Sequence, residues 1–273
     1  MIDVDTDAPL SSRTAMAKGW DVFTLEYVVN PPLSAVFTEG ALDQYEAIFN
    51  FLWRLKRGEH ALSGAWTTLK EVERYGCAQE GVARVVRHCQ ALRHLITHVL
   101  TNLQYYIMLE VVEASWAAFH AEASGAADLD SLIAAHHKYV TAVQEKALLG
   151  AACQEVHKEL MGMVGCALDF HTLTRAVLLH VAQLASTSFC GKKESSRPGG
   201  ASPIALTPQA LHQFGSSIKA LSLRFSTHFK RFTVALSQQN TVDVRFLSFR
   251  LDFSEYFVRL NDKMQATGMQ DQV

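Results

Sequence analysis

The stretch "VARVVRHCQALRHLITHVLTNLQYYIMLEVVEASWAAFHAEAS", residues 82–124, holds neither glycine nor proline across 43 positions. Val82, Val86, Cys89, Leu92, Ile96, Val99, Leu103 and Tyr106 recur at three and four, toward Val111, which is the spacing of one face of an α-helix. As a single helix it would extend about 65 Å, against a usual length of about 11–12 residues. A rod of that length needs neighbours along all of it. The expected fold is therefore all-α, an elongated bundle of long helices.

The neighbours are legible on both sides. Thr38 is placed to cap a helix from about Ala41 to Tyr75, with Leu42, Tyr45, Phe49, Leu52, Leu55, Leu62, Trp66 and Leu69 as its apolar stripe. Gly58 and Gly64 mark where that helix is weakest. Gly125 closes the long run, Asp128 caps "DLDSLIAAHHKYVTAVQEKALL", and Gly150 ends it. A further helix covers about Ala151 to Thr187, and Thr207-Pro208 opens one reaching about Gln239. The segment "VRFLSFRLDFSEYF" reads as a short helix opening into a loop. One stretch, Trp20–Asn30, alternates at period two and is expected to be extended until Asn30-Pro31-Pro32 turns it into a brief helix.

These elements give a helical domain over residues 20–260, with residues 1–19 and 261–273 expected to be poorly ordered. Residues 191–206, opening "GKKESSRPGGASP", form a flexible loop within the domain.

Composition narrows the function classes. The 273 residues are 49% hydrophobic and 19% charged with a net charge of −2, the profile of a soluble globular chain without a nucleic-acid footprint. Charge is uneven: between Gln209 and Leu260, seven basic residues face three acidic ones, whereas Asp3, Asp5 and Asp7 sit at the start. The five cysteines show no CxxC spacing, which argues against a zinc ribbon or a disulfide framework and for a reducing compartment, cytosol or nucleus. No apolar run reaches 18 residues, so no membrane partner is expected, and the acidic start is unlike a signal peptide.

Catalytic patterns are sparse. His94 and His98, at i and i+4, have the separation of two imidazoles sharing a metal, which leaves open a metal-dependent helical-bundle enzyme. A third ligand at motif spacing is missing, and the plainer reading is two partly buried or capping histidines. Cys89 beside His88 or His94 can be drawn as a thiol–base pair or as plain core. Phosphate-cradle and serine-elbow motifs do not occur. The reading is of a non-enzyme with no cofactor and no metal.

"FNFLWRLKR", residues 49–57, raises a different possibility. With Phe49, Leu52 and Leu55 turned to the core, Asn50, Trp53, Arg54 and Arg57 fall at i, i+3, i+4 and i+7 on one neighbouring face. Trp53 is then either core with snorkelling arginines around it or the anchor of an interface, since Trp and Arg are favoured in buried protein contacts.

"WDVFTLEYVVNPPLSAVFTEGALDQYEAIFNFLWRLKR" (20–57), "NLQYYIMLEVVEASW" (102–116), "DLDSLIAAHHKYVTAVQEKALL" (128–149) and "FLSFRLDFSEYF" (246–257) together resemble the C-terminal domain of the γ-tubulin complex proteins, nearest the third-component branch. The blocks follow the family's order from Trp20 to Phe257. The resemblance implies an elongated helical scaffold that binds γ-tubulin and supports microtubule nucleation at microtubule-organising centres and spindle poles, in the cytoplasm and cytoskeleton. Other γ-tubulin complex proteins are further implied partners.

Two departures bear on these expectations. The preceding helical domain of the family is not seen before Met1, as in a fragment or a shortened product, which limits lateral assembly. The 191–203 loop also lacks the long charged insert of the third-component branch. The rival of similar type is a helical adaptor for another cytoskeletal partner. Acidic tubulins call for basic groups around apolar anchors. Two segments meet that need: Asn50, Trp53, Arg54, Lys56 and Arg57, and then Arg245, Phe249, Arg250, Asp252 and Phe253.

Overall fold

The computed structural model describes Trp20, residues 23–76, 80–190 and 207–239, and Leu247, Arg250 and Leu251; every regular element among them is a helix. The expectations for residues 1–19, 191–206 and 261–273 lie outside the described residues. Residues 23–30 form no regular element and no strand pairing among the described residues, and the proline turn leads into a 3-10 turn at Leu33–Ala35.

Helix α1 spans Glu39–Gly76, its first turn capped by Thr38 Oγ1, which accepts from the Ala41 amide at 3.3 Å. Helix α2, Glu80–Tyr105, passes through a π-helical segment, Tyr106–Glu113, into α3, Ala114–Ser124. The long run is thus helical throughout, with a widened stretch that keeps Tyr106, Ile107 and Val111 buried. Helix α4, Leu129–Lys146, starts where the Asp128 carboxylate accepts from the Ser131 amide at 2.8 Å. Helix α5 spans Gln154–Cys190 after a 3-10 turn, and α6 spans Pro208–Ser237 behind the Thr207 cap and its N1 proline.

α1 packs on α5 and α2, α5 on α6, and α6 back on α2, which closes a four-helix bundle; α3 and α4 form a hairpin tied to α1 through α4. The bundle core holds Leu55, Leu69, Ile96, Leu103, Phe170, Phe225, Phe229 and Phe232, all nearly inaccessible to water, and Leu247 and Leu251 join it. A smaller cluster of Val72, Val82, Val86, Val177 and Val181 fills the far end.

Gly58 and Gly64 do not break α1. A Cβ on Gly58 would lie 3.2 Å from Leu100 Cδ1 and 3.5 Å from Val164 Cγ1, so the missing side chain lets α1, α2 and α5 approach closely.

Two expectations are corrected. Trp66 is not core: it is 38% exposed, with Lys70 Nζ 3.4 Å over its ring. The buried face of α1 is Ile48, Phe51, Leu55, Leu62, Ala65, Leu69 and Val72, about one residue out of phase with the larger side chains, and Ala65 is wholly buried. The end of α4 also differs. Its left-handed residue is Leu148 (φ 64°), not Gly150; Leu149 N donates to Gln144 O at 3.1 Å, while Leu148 itself is fully buried. Burial of that side chain offsets a backbone conformation costing roughly 1–2 kcal/mol for a non-glycine residue.

Candidate protein-interaction surface

The segment ahead of α1 runs back along it as a strap, with Phe23 near Phe49 and Trp53 and Thr24 at Glu46. Trp20 and Trp53 stack with centroids 4.7 Å apart, Phe23 sits 4.9 Å from Trp53, and Trp53 Nε1 donates to the Trp20 carbonyl at 3.2 Å. Trp53 therefore lies half-buried beneath the chain's own strap. Asn50 is half-buried next to it and Arg57 likewise.

Arg54 is exposed on the side toward α5. Burial lowers the pKa of the His157 ring, and the Arg54 guanidinium nearby lowers it further. Lys56 is exposed and pairs with Glu59 at 2.8 Å, which holds the Glu59 carboxyl below its ordinary range. Arg250 is exposed, one position from the buried Leu251. Arg245, Phe249, Asp252 and Phe253 lie outside the described residues.

Ahead of the basic ridge, α1 is acidic. The strap and the first turns of α1 bound a groove of about 590 Å³, where Glu26, Glu39, Asp43 and Glu46 surround Leu42, Tyr45 and Phe49. Thr24 Oγ1 donates to Glu46 Oε1 at 2.9 Å across it. One face of a single helix thus passes from carboxylates to guanidinium groups within about two turns.

A second apolar surface was not legible in the sequence. Along the π-helical segment and α3, Tyr105, Met108, Leu109 and Trp116 are each about half exposed, while Tyr106 is buried and its hydroxyl donates to the Lys146 carbonyl at 3.1 Å. The signal available was that "YYIMLEVVEASW" carries more large apolar side chains than one helical stripe can bury.

The catalytic alternatives gain nothing from the geometry. His94 and His98 are both exposed, and among the described residues no group of three His, Cys, Asp or Glu side chains could hold a metal. Cys89 is core, and burial pushes its thiol up to about 12, away from a reactive thiolate. Among the described residues no helix is long and apolar enough to cross a membrane.

This is an all-helical bundle domain with a basic ridge and apolar outer faces. Residues 2–257 match the family model for the gamma tubulin complex component C-terminal domain, and the chain belongs to that family. It is 37% identical to gamma-tubulin complex component 3 of Arabidopsis thaliana over 90% of this chain and 31% of that protein. It is 32% identical to the gamma-tubulin complex component 3 homolog of Xenopus laevis, over 91% and 29% of the two chains. It is also 31% identical to the spindle pole body component alp6 of Schizosaccharomyces pombe, over 94% and 31%. The chain spans about a third of the length of these relatives.

Proposed function

We propose that this chain is a γ-tubulin-binding scaffold domain of the γ-tubulin complex, acting in microtubule nucleation at spindle poles and other microtubule-organising centres. Its partners are γ-tubulin and other γ-tubulin complex proteins, and its place is the cytoplasm and cytoskeleton. The family match across nearly the whole chain carries this reading.

The ridge Asn50–Arg57 is the contact surface we assign to γ-tubulin, with Arg245, Phe249, Arg250, Asp252 and Phe253 as its second segment. Trp53 supports that role from beneath, because stacking on Trp20 fixes the backbone that presents Arg54 and Lys56. The switch from Glu39, Asp43 and Glu46 to Arg54, Lys56 and Arg57 along α1 favours one orientation of a partner carrying both signs of charge.

Binding of purified γ-tubulin to the immobilised chain tests the reading, and no binding by the unaltered chain overturns it. Arg54→Glu with Arg57→Glu should weaken binding by on the order of 2–5 kcal/mol for each desolvated pair lost. The Arg54→Glu single variant should keep a melting temperature near that of the unaltered chain, since an exposed charge adds little stability, and the half-buried Arg57 is tested only in a variant that remains folded. A folded double variant with unchanged affinity and salt dependence removes the ridge from the contact.

A further inference from the structure

A groove of about 320 Å³ opens between the first turns of α2 and α6, at the end of the bundle where the small valine cluster lies. Its floor is apolar: Val85, Leu211 and Ile218, of which Ile218 belongs to the main core and Leu211 packs on the valine cluster. Its rim is Arg84, His88, His212 and Lys219, and among the described residues no carboxylate lines it. Arg84 reaches Glu80 at 3.4 Å, but both side chains are mostly exposed, so that pair is readily exchanged for another carboxylate. His88 Nδ1 is 3.1 Å from the Arg84 carbonyl, which fixes the ring and leaves Nε2 for a further contact.

Small residues make the space. At Gly215 an added Cβ would meet nothing within 4 Å, so the helix surface there is open. The groove is remote from the ridge on α1. Gly58 faces Leu100, and the fifteen residues from Leu100 back to Val85 span about 22 Å of helix.

We propose that this groove is a docking site for an acidic peptide segment of a partner protein, which inserts one apolar side chain between α2 and α6 while its carboxylates meet the cationic rim. Charge complementarity selects that occupant. The chain's own 191–206 stretch, which precedes α6, carries Lys192, Lys193 and Arg197 against Glu194 and is of the wrong sign. The inference stands independently of the γ-tubulin reading, because it uses none of the ridge residues.

The test is fluorescence anisotropy with a labelled ten-residue peptide of Glu and Asp bearing one central Leu, titrated with the full chain. Binding should weaken at least tenfold when the Leu is replaced by Ser, and a Lys-for-Glu version should not bind. Gly215→Leu fills the groove from an open position, and Arg84→Glu with Lys219→Glu reverses its rim. Each should weaken binding at least tenfold without loss of the helical spectrum, and γ-tubulin binding should be unchanged. Wild-type affinity in the folded G215L variant, or equal binding of the Lys peptide, overturns the proposal. Asp3→Asn with Asp5→Asn and Asp7→Asn separates the rival occupant: tighter peptide binding would mean that the chain's own acidic start competes for the groove, and would overturn a partner's segment as its occupant.

Discussion

The four-helix bundle and the α3–α4 hairpin are held together by different means. Helix α2 buries eight side chains in the bundle, whereas Ser115 is the one buried residue of α3. Helix α3 relies instead on rings: Phe119 lies 5.2 Å from Tyr139 and 6.0 Å from His136, and Trp116 lies 5.4 Å from Phe119. His136 then ties the hairpin to α1, with Nε2 3.0 Å from the Tyr45 hydroxyl and Phe37 4.9 Å from its ring. Burial pushes the Tyr45 phenol up to about 12, so it stays protonated in that contact. Burial of aliphatic volume makes the bundle cooperative and extends to α4 through Val140 and Val143, while α3, with ring contacts and one buried residue, is the part that opens at lower free energy.

The largest expected effect separates the two directly. Phe225 is fully buried and stacks 6.3 Å from Phe229. Phe225→Ala should cost about 3–5 kcal/mol. Trp116 is 51% exposed, and Trp116→Ala should cost well under that. Denaturant midpoints measure both, and equal losses would end the distinction. Native-state hydrogen exchange should show α3 amides opening before those of α2.

A second pair of substitutions probes the bundle within one helix. A Cβ on Gly162 would stand 2.6 Å from His228 Nδ1, the atom 2.7 Å from the buried carboxylate of Glu159. Gly162→Ala must displace that ring and leave Glu159 with Arg231 at 3.8 Å, a loss of about 1–3 kcal/mol for an unsatisfied buried group. Three residues on, a Cβ at Gly165 meets nothing within 4 Å, so Gly165→Ala should raise stability by up to about 1 kcal/mol. Thermal melts that move the same way for both would show that the helix contact near Gly162 is looser than described.

How far the sequence could be read follows the same division. Helix existence, order and capping were legible because the stripe at Val82–Val111 and the Thr38, Asp128 and Thr207 caps are local features. The phase of α1 was not, since Ala65 and Gly58 are buried by the approach of other helices, and size alone favoured Trp66 for the core. Leu148 in a left-handed conformation has no local signature, because its side chain is stabilised by distant partners. The candidate ridge could be drawn from spacing, but the Trp20 contact over Trp53 depends on a residue 33 positions away.

A change of pH should bear on both regions. Burial is the first cause lowering the pKa of His136, His157 and His171 below the ordinary 6.5, with charges from His137, from Arg54, and from Arg175 and His60 adding to it in turn. Below about pH 6.5 the unfolded chain binds protons that the folded chain resists, so unfolding takes up protons and stability falls with pH. The contribution is complete above the unfolded value and is lost as pH descends toward the depressed folded values. The melting temperature should therefore drop between pH 7.5 and pH 5.5. His136→Gln, which keeps a partner for Tyr45, should flatten part of that drop, and an unchanged slope would remove His136 from the linkage.

The smallest effect belongs to a residue whose size would suggest the largest. Trp66 sits next in sequence to Ala65, which is wholly buried, yet the indole lies over the surface of α1 under Lys70. Removing it leaves no cavity between helices, because the space between them is filled by Leu62, Ala65 and Leu69. What is lost is part of one apolar contact and an exposed cation–π pair of about 0.5–1 kcal/mol. Trp66→Ala should thus lower stability by about 1 kcal/mol, and Lys70→Met should capture most of the cation–π part while leaving the ring in place. A loss of about 3–5 kcal/mol for Trp66→Ala would be that of a core aromatic and would return α1 to the phase its larger side chains suggest.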